Sequence, residues 1–194
     1  MGGSNVIAEV GLSVVNVFRR NMTPEPIASP ESIGLCSPQE PDDFQLTVWI
    51  YNMEEQKTAG SVSSFLPDPS NPALERFSPM QIKLYLLVTA HSKAPTLIRA
   101  DNEYRILGRA VQVVRDMPVI DSSYLEGSLL SGGTNLTLEI LKLSSDELSK
   151  IWNSSSKPIK MSFGLSVSVA LESTLVRTIP PHVVEAHIGI TQKS

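Results

Sequence analysis

The sequence predicts an α+β fold: a single domain in which a mainly antiparallel or mixed sheet of about four or five strands packs with two amphipathic helices and one short helix. Three observations carry that expectation. Segments near 44–52, 81–90, 136–143 and 159–172 alternate apolar with polar or small residues at the two-residue period of a strand. Segments near 5–20 and 101–116 repeat apolar residues at three- and four-residue steps, the period of a helix. Ser144 and Glu147 form a Ser-x-x-Glu capping box, which opens a short helix near 145–152 between two of the strands.

In chain order, the first helix places Ile7, Val10, Val14, Val17 and Phe18 on one stripe. Its β-branched content lowers its intrinsic propensity, so packing rather than local preference has to stabilise it. Five prolines between Thr23 and Asp43 then make a connector, with at most a short strand around Ile33 to Cys36. Phe44, Leu46, Val48 and Ile50 oppose Gln45, Thr47, Trp49 and Tyr51; bulk on both faces marks a central strand, or one whose second face meets helices. Residues 53–79 read as a long irregular stretch and hence as a candidate contact loop. Ile82, Leu84, Leu86 and Val88 form the buried side of the next strand.

A helical stripe of Tyr104, Leu107, Val111 and Val114 follows, with Asp101 as N-cap and Pro118 beyond its end. Leu136, Leu138 and Ile140 alternate as a strand, and Trp152 is the expected core anchor of the short helix after the capping box. From Ile159 the set Ile159, Met161, Phe163, Leu165, Val167, Val169 and Leu171 never slips register. Gly164, Ser166, Ser168 and Ala170 leave the opposite face small enough for another element to approach closely. Core positions are assigned to Trp152, Phe163, Leu165 and Leu107. The domain is placed at 1–173, and 174–194 is set apart as a C-terminal arm. In that arm Val184, Ala186, Ile188 and Ile190 alternate after Pro180-Pro181, either as a strand donated to a partner's sheet or as an edge strand or frayed end of the chain itself.

A net charge of -4, with basic residues scattered, argues against a nucleic-acid binder, which needs a concentrated cationic footprint. The Arg19-Arg20 doublet sits where cations complement a helix C-terminus. Cys36 is alone and builds neither a disulfide nor a cysteine zinc site, and a reducing compartment suits it. No signal-peptide pattern and no membrane-length apolar run occurs. Phosphate-binding glycine loops and nucleophile elbows are missing. His182 and His187 are five residues apart, which suits neither a helical nor a strand pair of metal ligands. Asp42-Asp43 and Glu54-Glu55 read as solvated charge in turns flanking the first strand. The expectation is a non-enzymatic protein with no catalytic, cofactor-binding or metal-binding residue.

Taken in order, the N-terminal helix, the Pro-rich link, "WIYNMEEQ", "LYLLVTAHS", "ILGRAVQVVRDMPVI", "LTLEILKLSSDELSKIWNS" and "MSFGLSVSVALES" resemble the small cap or terminator proteins of contractile injection systems. These are phage-tail-like particles of the antifeeding-prophage and Photorhabdus virulence cassette type. The resemblance spans roughly Asn5 to Ser173. It implies a hexameric ring on the distal end of the particle, docked on the last tube and sheath rings and presenting no surface for further growth. A heterologous interface that closes into a ring cannot extend sideways. It also implies assembly in the bacterial cytoplasm followed by residence in the particle, and a pairing of Val184, Ala186, Ile188 and Ile190 with a sheath subunit. The alternative is a stand-alone binding or adaptor domain that uses the 53–79 loop.

Overall fold

The computed structural model describes residues 3–57, 64–131, 135–152 and 157–179. The chain divides into two compact units, residues 1–61 with 79–172 and residues 62–78 with 173–194.

The larger unit is built on a six-stranded mixed sheet whose order is β1-β2-β5-β8-β7-β6. Its strands are β1 (Ile33–Leu35), β2 (Leu46–Glu55), β5 (Met80–Ala90), β6 (Val119–Ile120), β7 (Leu136–Leu141) and β8 (Ser162–Leu171). Only the β1–β2 pair is parallel; the other pairs are antiparallel. In register, Val48 faces Val88, Leu86 faces Leu165, and Leu138 faces Val167. These residues and their even-spaced neighbours form one apolar face. Two helices, α1 (Val6–Asn21) and α2 (Thr96–Asp116), cover that face, and Met22, Ile27, Leu125 and Leu129 from the connecting segments join the same core.

Helix α1 is buried far more widely than a single stripe, with Val6, Val10, Val14, Val15, Val17 and Phe18 fully covered. Burial of each such side chain contributes about 1.5–3 kcal/mol, which outweighs the few tenths by which valine is a poorer helix former than alanine. A Cβ on Gly11 would come within 2.8 Å of Leu35 and 3.2 Å of Ile50, so the helix lies tight against the β1–β2 corner. At its C-terminus Asn21 and Thr23 side chains donate to Val17 O and Arg19 O, satisfying carbonyls that the helix leaves open. Arg19 donates twice to Ile33 O and Arg20 lies over the Tyr124 ring, so the basic doublet is spent within the fold.

Helix α2 starts at Thr96, directly after Pro95, and not at the expected Asp101. Asp101 is an interior position and pairs with Arg105 one turn on, at 2.9 Å. The buried stripe is Ile106, Leu107, Ala110, Val113 and Val114; Tyr104 is exposed and Val111 only half-buried. The buried face is therefore turned away from the Tyr104–Leu107–Val111 line and includes Ile106, Ala110 and Val113 instead.

On the opposite face of the sheet, Leu87 stands across from Gly164 and is fully buried. A Cβ on Gly164 would meet Leu143 at 2.8 Å, which is the close approach that the small residues of this strand allow. The short helix α4 (Ser145–Trp152) has the expected capping box: Glu147 N–H donates to Ser144 Oγ at 3.2 Å and Ser144 N–H to Glu147 Oε2 at 2.8 Å. A four-residue helix, α3 (Ser128–Ser131), and two 3-10 turns, Pro30–Ser32 and Ser122–Tyr124, complete the unit.

Two further expectations are corrected here. Strand β8 begins only at Ser162, because its ladder with β5 ends at the Thr89–Ser162 pair; Ile159 and Met161 precede it and are exposed. Ile140 is also largely exposed although it faces Leu165 in register.

Most of the described part of 53–79, read from the sequence as irregular, is strand, chiefly in the smaller unit; residues 58–63 of that stretch lie outside the described residues. Residues 53–55 extend β2, and β3 (Phe65–Asp68) and β4 (Asn71–Phe77) make a hairpin that β9 (Val176–Thr178) joins in the order β3-β4-β9. Pro67 and Pro72 disguise these strands, but proline is tolerated where its missing N–H faces away from a ladder bond. Phe65 and Phe77 meet edge to face at 5.3 Å, the Arg177 guanidinium lies 3.9 Å from the Phe65 centroid, and Arg177 pairs with Glu75 at 2.7 Å. Asp68 accepts from Ser70 N–H and from Arg76, which hold its carboxyl below the ordinary carboxylate range.

Candidate functional site

Four segments of the larger unit converge where β2 begins, β5 ends, β8 begins and α4 ends. His91 follows the last residue of β5; its backbone N–H donates to Gln45 O at 2.8 Å and its Nε2 lies 3.0 Å from Thr47 Oγ1. The residue is 7% exposed. Burial, reinforced by the Lys160 and Lys157 charges and only partly opposed by Glu103, pulls its pKa down to about 4, so it is neutral at physiological pH. From α2, Glu103 accepts from Ser92 N–H at 3.0 Å and pairs with Lys160 at 2.7 Å, which ties the segment after β5 to the one before β8. Lys93 pairs with Asp43, and Lys157 donates to Gln39 O.

Of these residues His91, Ser92, Lys93, Lys157 and Lys160 line a cavity of about 230 Å³ together with Phe44 and Trp152. Trp152 is 3% exposed, and its indole Nε1 has no hydrogen-bond acceptor among the described residues. Asp42 lines the same cavity with φ 47°, a left-handed conformation that aspartate tolerates better than most residues.

Two wider depressions lie elsewhere on this unit. One, of about 560 Å³, runs between α2 and the start of β8, past Tyr104, Leu107, Val111, Met161 and Phe163. The other, of about 370 Å³, separates α4 from an aromatic row on the sheet. In that row Trp49 and Tyr51 are 6.1 Å apart and Tyr51 and Tyr85 6.3 Å. The Tyr85 hydroxyl donates to Glu54 at 2.8 Å, which raises its pKa. Glu54 and Glu55 thus belong to a strand and not to a turn.

Of the residues assigned to the core, Leu165 and Leu107 lie in the main core, and Phe163 packs against it half-buried. Trp152 is buried outside that cluster, in the cavity beside His91. Val184, Ala186, Ile188 and Ile190, with His182 and His187, lie outside the described residues. His91 had no sequence signal beyond its presence, because its neighbours come from four distant segments. Among the described residues no three His, Cys, Asp or Glu side chains cluster as metal ligands, and no helix is long and apolar enough to cross a membrane.

What the geometry defines is a scaffold of mixed sheet and two covering helices, with surface depressions and a small donor-lined cavity. Comparison with known proteins identifies the scaffold. The chain belongs to the Pvc16 N-terminal domain family, whose model matches residues 9–185. Its fold is similar to that of the sheath/tube terminator of an extracellular contractile injection system, PVC, in the extended state. The TM-score is 0.63 at 15% identity, over 96% of this chain and 64% of that one. The chain therefore spans a little under two thirds of that relative's length. A weaker likeness, with TM-score 0.46 and 14% identity over 74% of this chain and 48% of the other, is to the tube-terminating cap of the anti-feeding prophage. No curated protein matches the chain.

Proposed function

We propose that this chain is a non-enzymatic structural cap that forms a ring on the distal end of a contractile injection particle and terminates tube and sheath polymerisation. The observation that carries the reading is family membership over residues 9–185, joined to a fold shared along 96% of the chain with a sheath/tube terminator. The edges of the six-stranded sheet suit a unit that ends growth. They are formed by strands of three and two residues, β1 and β6, and short edge strands offer little template for further pairing. Its partners are further copies of itself, in a hexamer, and the tube and sheath subunits. It is assembled in the bacterial cytoplasm and then retained in the particle.

The arm contributes by strand pairing. Val184, Ala186, Ile188 and Ile190 dock on a sheath subunit, while β9 keeps the start of the arm paired to β4. Ending the chain at Ile179 tests this part separately, because β9 is retained.

The deciding experiment is electron microscopy of particles from a producing strain with and without this gene. Tubes and sheaths of uncontrolled length, or sheaths that fall apart at the distal end, are expected on deletion. Capped particles of normal length would overturn the proposal. Native mass spectrometry of the purified chain checks the ring, for which a monomer under all conditions, with or without tube and sheath subunits, is the contrary result.

A further inference from the structure

The solvent side of α2 is patterned like a helix that meets another helix. Leu97, Asp101, Tyr104, Gly108, Val111 and Arg115 follow one another at alternating four- and three-residue steps. At about 3.6 residues per turn and 1.5 Å per residue they form a straight line roughly 27 Å long. All are exposed except Val111, which is half-buried, and Leu97 is 98% exposed. At the middle of the line, Gly108 is the floor of the depression of about 560 Å³, with Tyr104, Leu107, Val111, Met161 and Phe163 around it. Glycine weakens a helix interior relative to alanine, and a Cβ at Gly108 would meet nothing within 4 Å. Packing within the chain therefore gives no reason for a glycine here, whereas close approach by a second backbone does.

The charges at the two ends of the line indicate what approaches. Asp101 lies seven residues before Gly108 and Arg115 seven after it. A second α2 laid antiparallel across Gly108 sets each Asp101 opposite Arg115 of the other copy. A parallel alignment would set Asp101 against Asp101 and Arg115 against Arg115, which repel. The Asp101–Arg105 pair within the helix is exposed on both sides and is readily exchanged. The same two-fold axis keeps Met161, 67% exposed, on one side of the helix pair with its own symmetry mate, so the two thioethers cover each other. We propose that α2 is a self-docking surface that takes α2 of a second copy of this chain, antiparallel and centred on Gly108. A self-complementary contact of this kind differs from the heterologous contact that closes a six-fold ring. It joins two chains, or two rings, through a face that the capping proposal does not use. One helix pair with its flanks falls at the small end of stable interfaces, so the association is weak and reversible.

The test is sedimentation velocity of the full chain from micromolar to submillimolar concentration. The mass is expected to double as concentration rises, from one chain to two or from a ring to a pair of rings. Gly108→Leu fills the depression at a position with open space around it and with a better helix former, so it should fold normally and weaken the doubling at least about tenfold. Asp101→Arg should weaken it too, and adding Arg115→Asp to that variant should restore it. Absence of doubling at every concentration, equal association of Gly108→Leu and the parent, or a charge exchange that restores nothing would overturn the proposal. Added tube or sheath subunits that bind the parent but not Gly108→Leu, with no doubling of the chain alone, would replace the second copy by a particle subunit as the occupant. The readout is the mass of the purified chain, so this proposal stands or fails apart from the particle-length experiment.

Discussion

Mild acid should destabilise the larger unit through one side chain, His91. In the native state its pKa is about 4, against an ordinary value of 6.5 in the unfolded chain. Between those values the unfolded state binds more protons than the native state, so the free energy of unfolding rises with pH. The full native preference for the neutral ring is present above pH 6.5 and is lost as pH falls toward 4. The whole gap corresponds to about 3 kcal/mol, and the portion between pH 7.5 and pH 5 to about 2 kcal/mol. His91→Gln removes the titrating group while keeping a side chain able to hydrogen-bond Thr47 Oγ1. Urea unfolding across pH 5–7.5 should show the parent losing about 2 kcal/mol more than His91→Gln over that range. The carboxyls of Asp43, Asp68, Glu139 and Glu147 are held low by their partners. Their linked losses therefore fall in more acidic solution, outside the comparison. Parallel pH profiles for the two proteins would refute the argument that burial of a neutral ring governs this response.

Three other substitutions read out separate parts of the fold. Gly34→Ala would place a Cβ 2.3 Å from the Phe44 ring, and because that ring is only half-buried and can swing away, the expected loss is about 1–2 kcal/mol in chemical denaturation. Ser144→Ala removes the cap of α4 and should cost about 1 kcal/mol, with faster amide exchange confined to 145–148 as the local signature. Leu165→Ala, at a fully buried position central to β8, should cost about 2–5 kcal/mol by thermal or urea unfolding; a loss below 1 kcal/mol would mean that the site collapses without leaving a void.

Features encoded within a few residues were legible in the sequence. The Ser144–Glu147 box is a local exchange of hydrogen bonds, and it opens α4 as expected. The register of Leu165, Val167 and Val169 follows from alternation, because a one-residue slip would expose all three. The small residues opposite them foretold a close approach, which Leu143 makes at Gly164. Features decided by distant segments were not legible. Helix α2 begins at Thr96 with Leu97 and Ile98 exposed, so no apolar stripe announces its first turn. The β3–β4 hairpin is too exposed to need strict alternation, and its prolines imitate a breaker-rich loop. The His91 cavity required residues from the Pro38–Phe44 link, the end of β5, α4 and the approach to β8, which nothing in a linear pattern unites.

The pairing of β9 with β4 fixes a tether point. Ile190 lies eleven residues beyond Ile179, and an extended chain covers at most about 3.3–3.6 Å per residue, so Ile190 stays within roughly 40 Å of the end of that strand. Any neighbour it engages is held at a high effective concentration inside this radius and at none beyond it. If the arm pairs with another chain as proposed, the three-residue strand β9 is its fixed end, and covalent geometry bounds the spacing of the two chains before any affinity is considered.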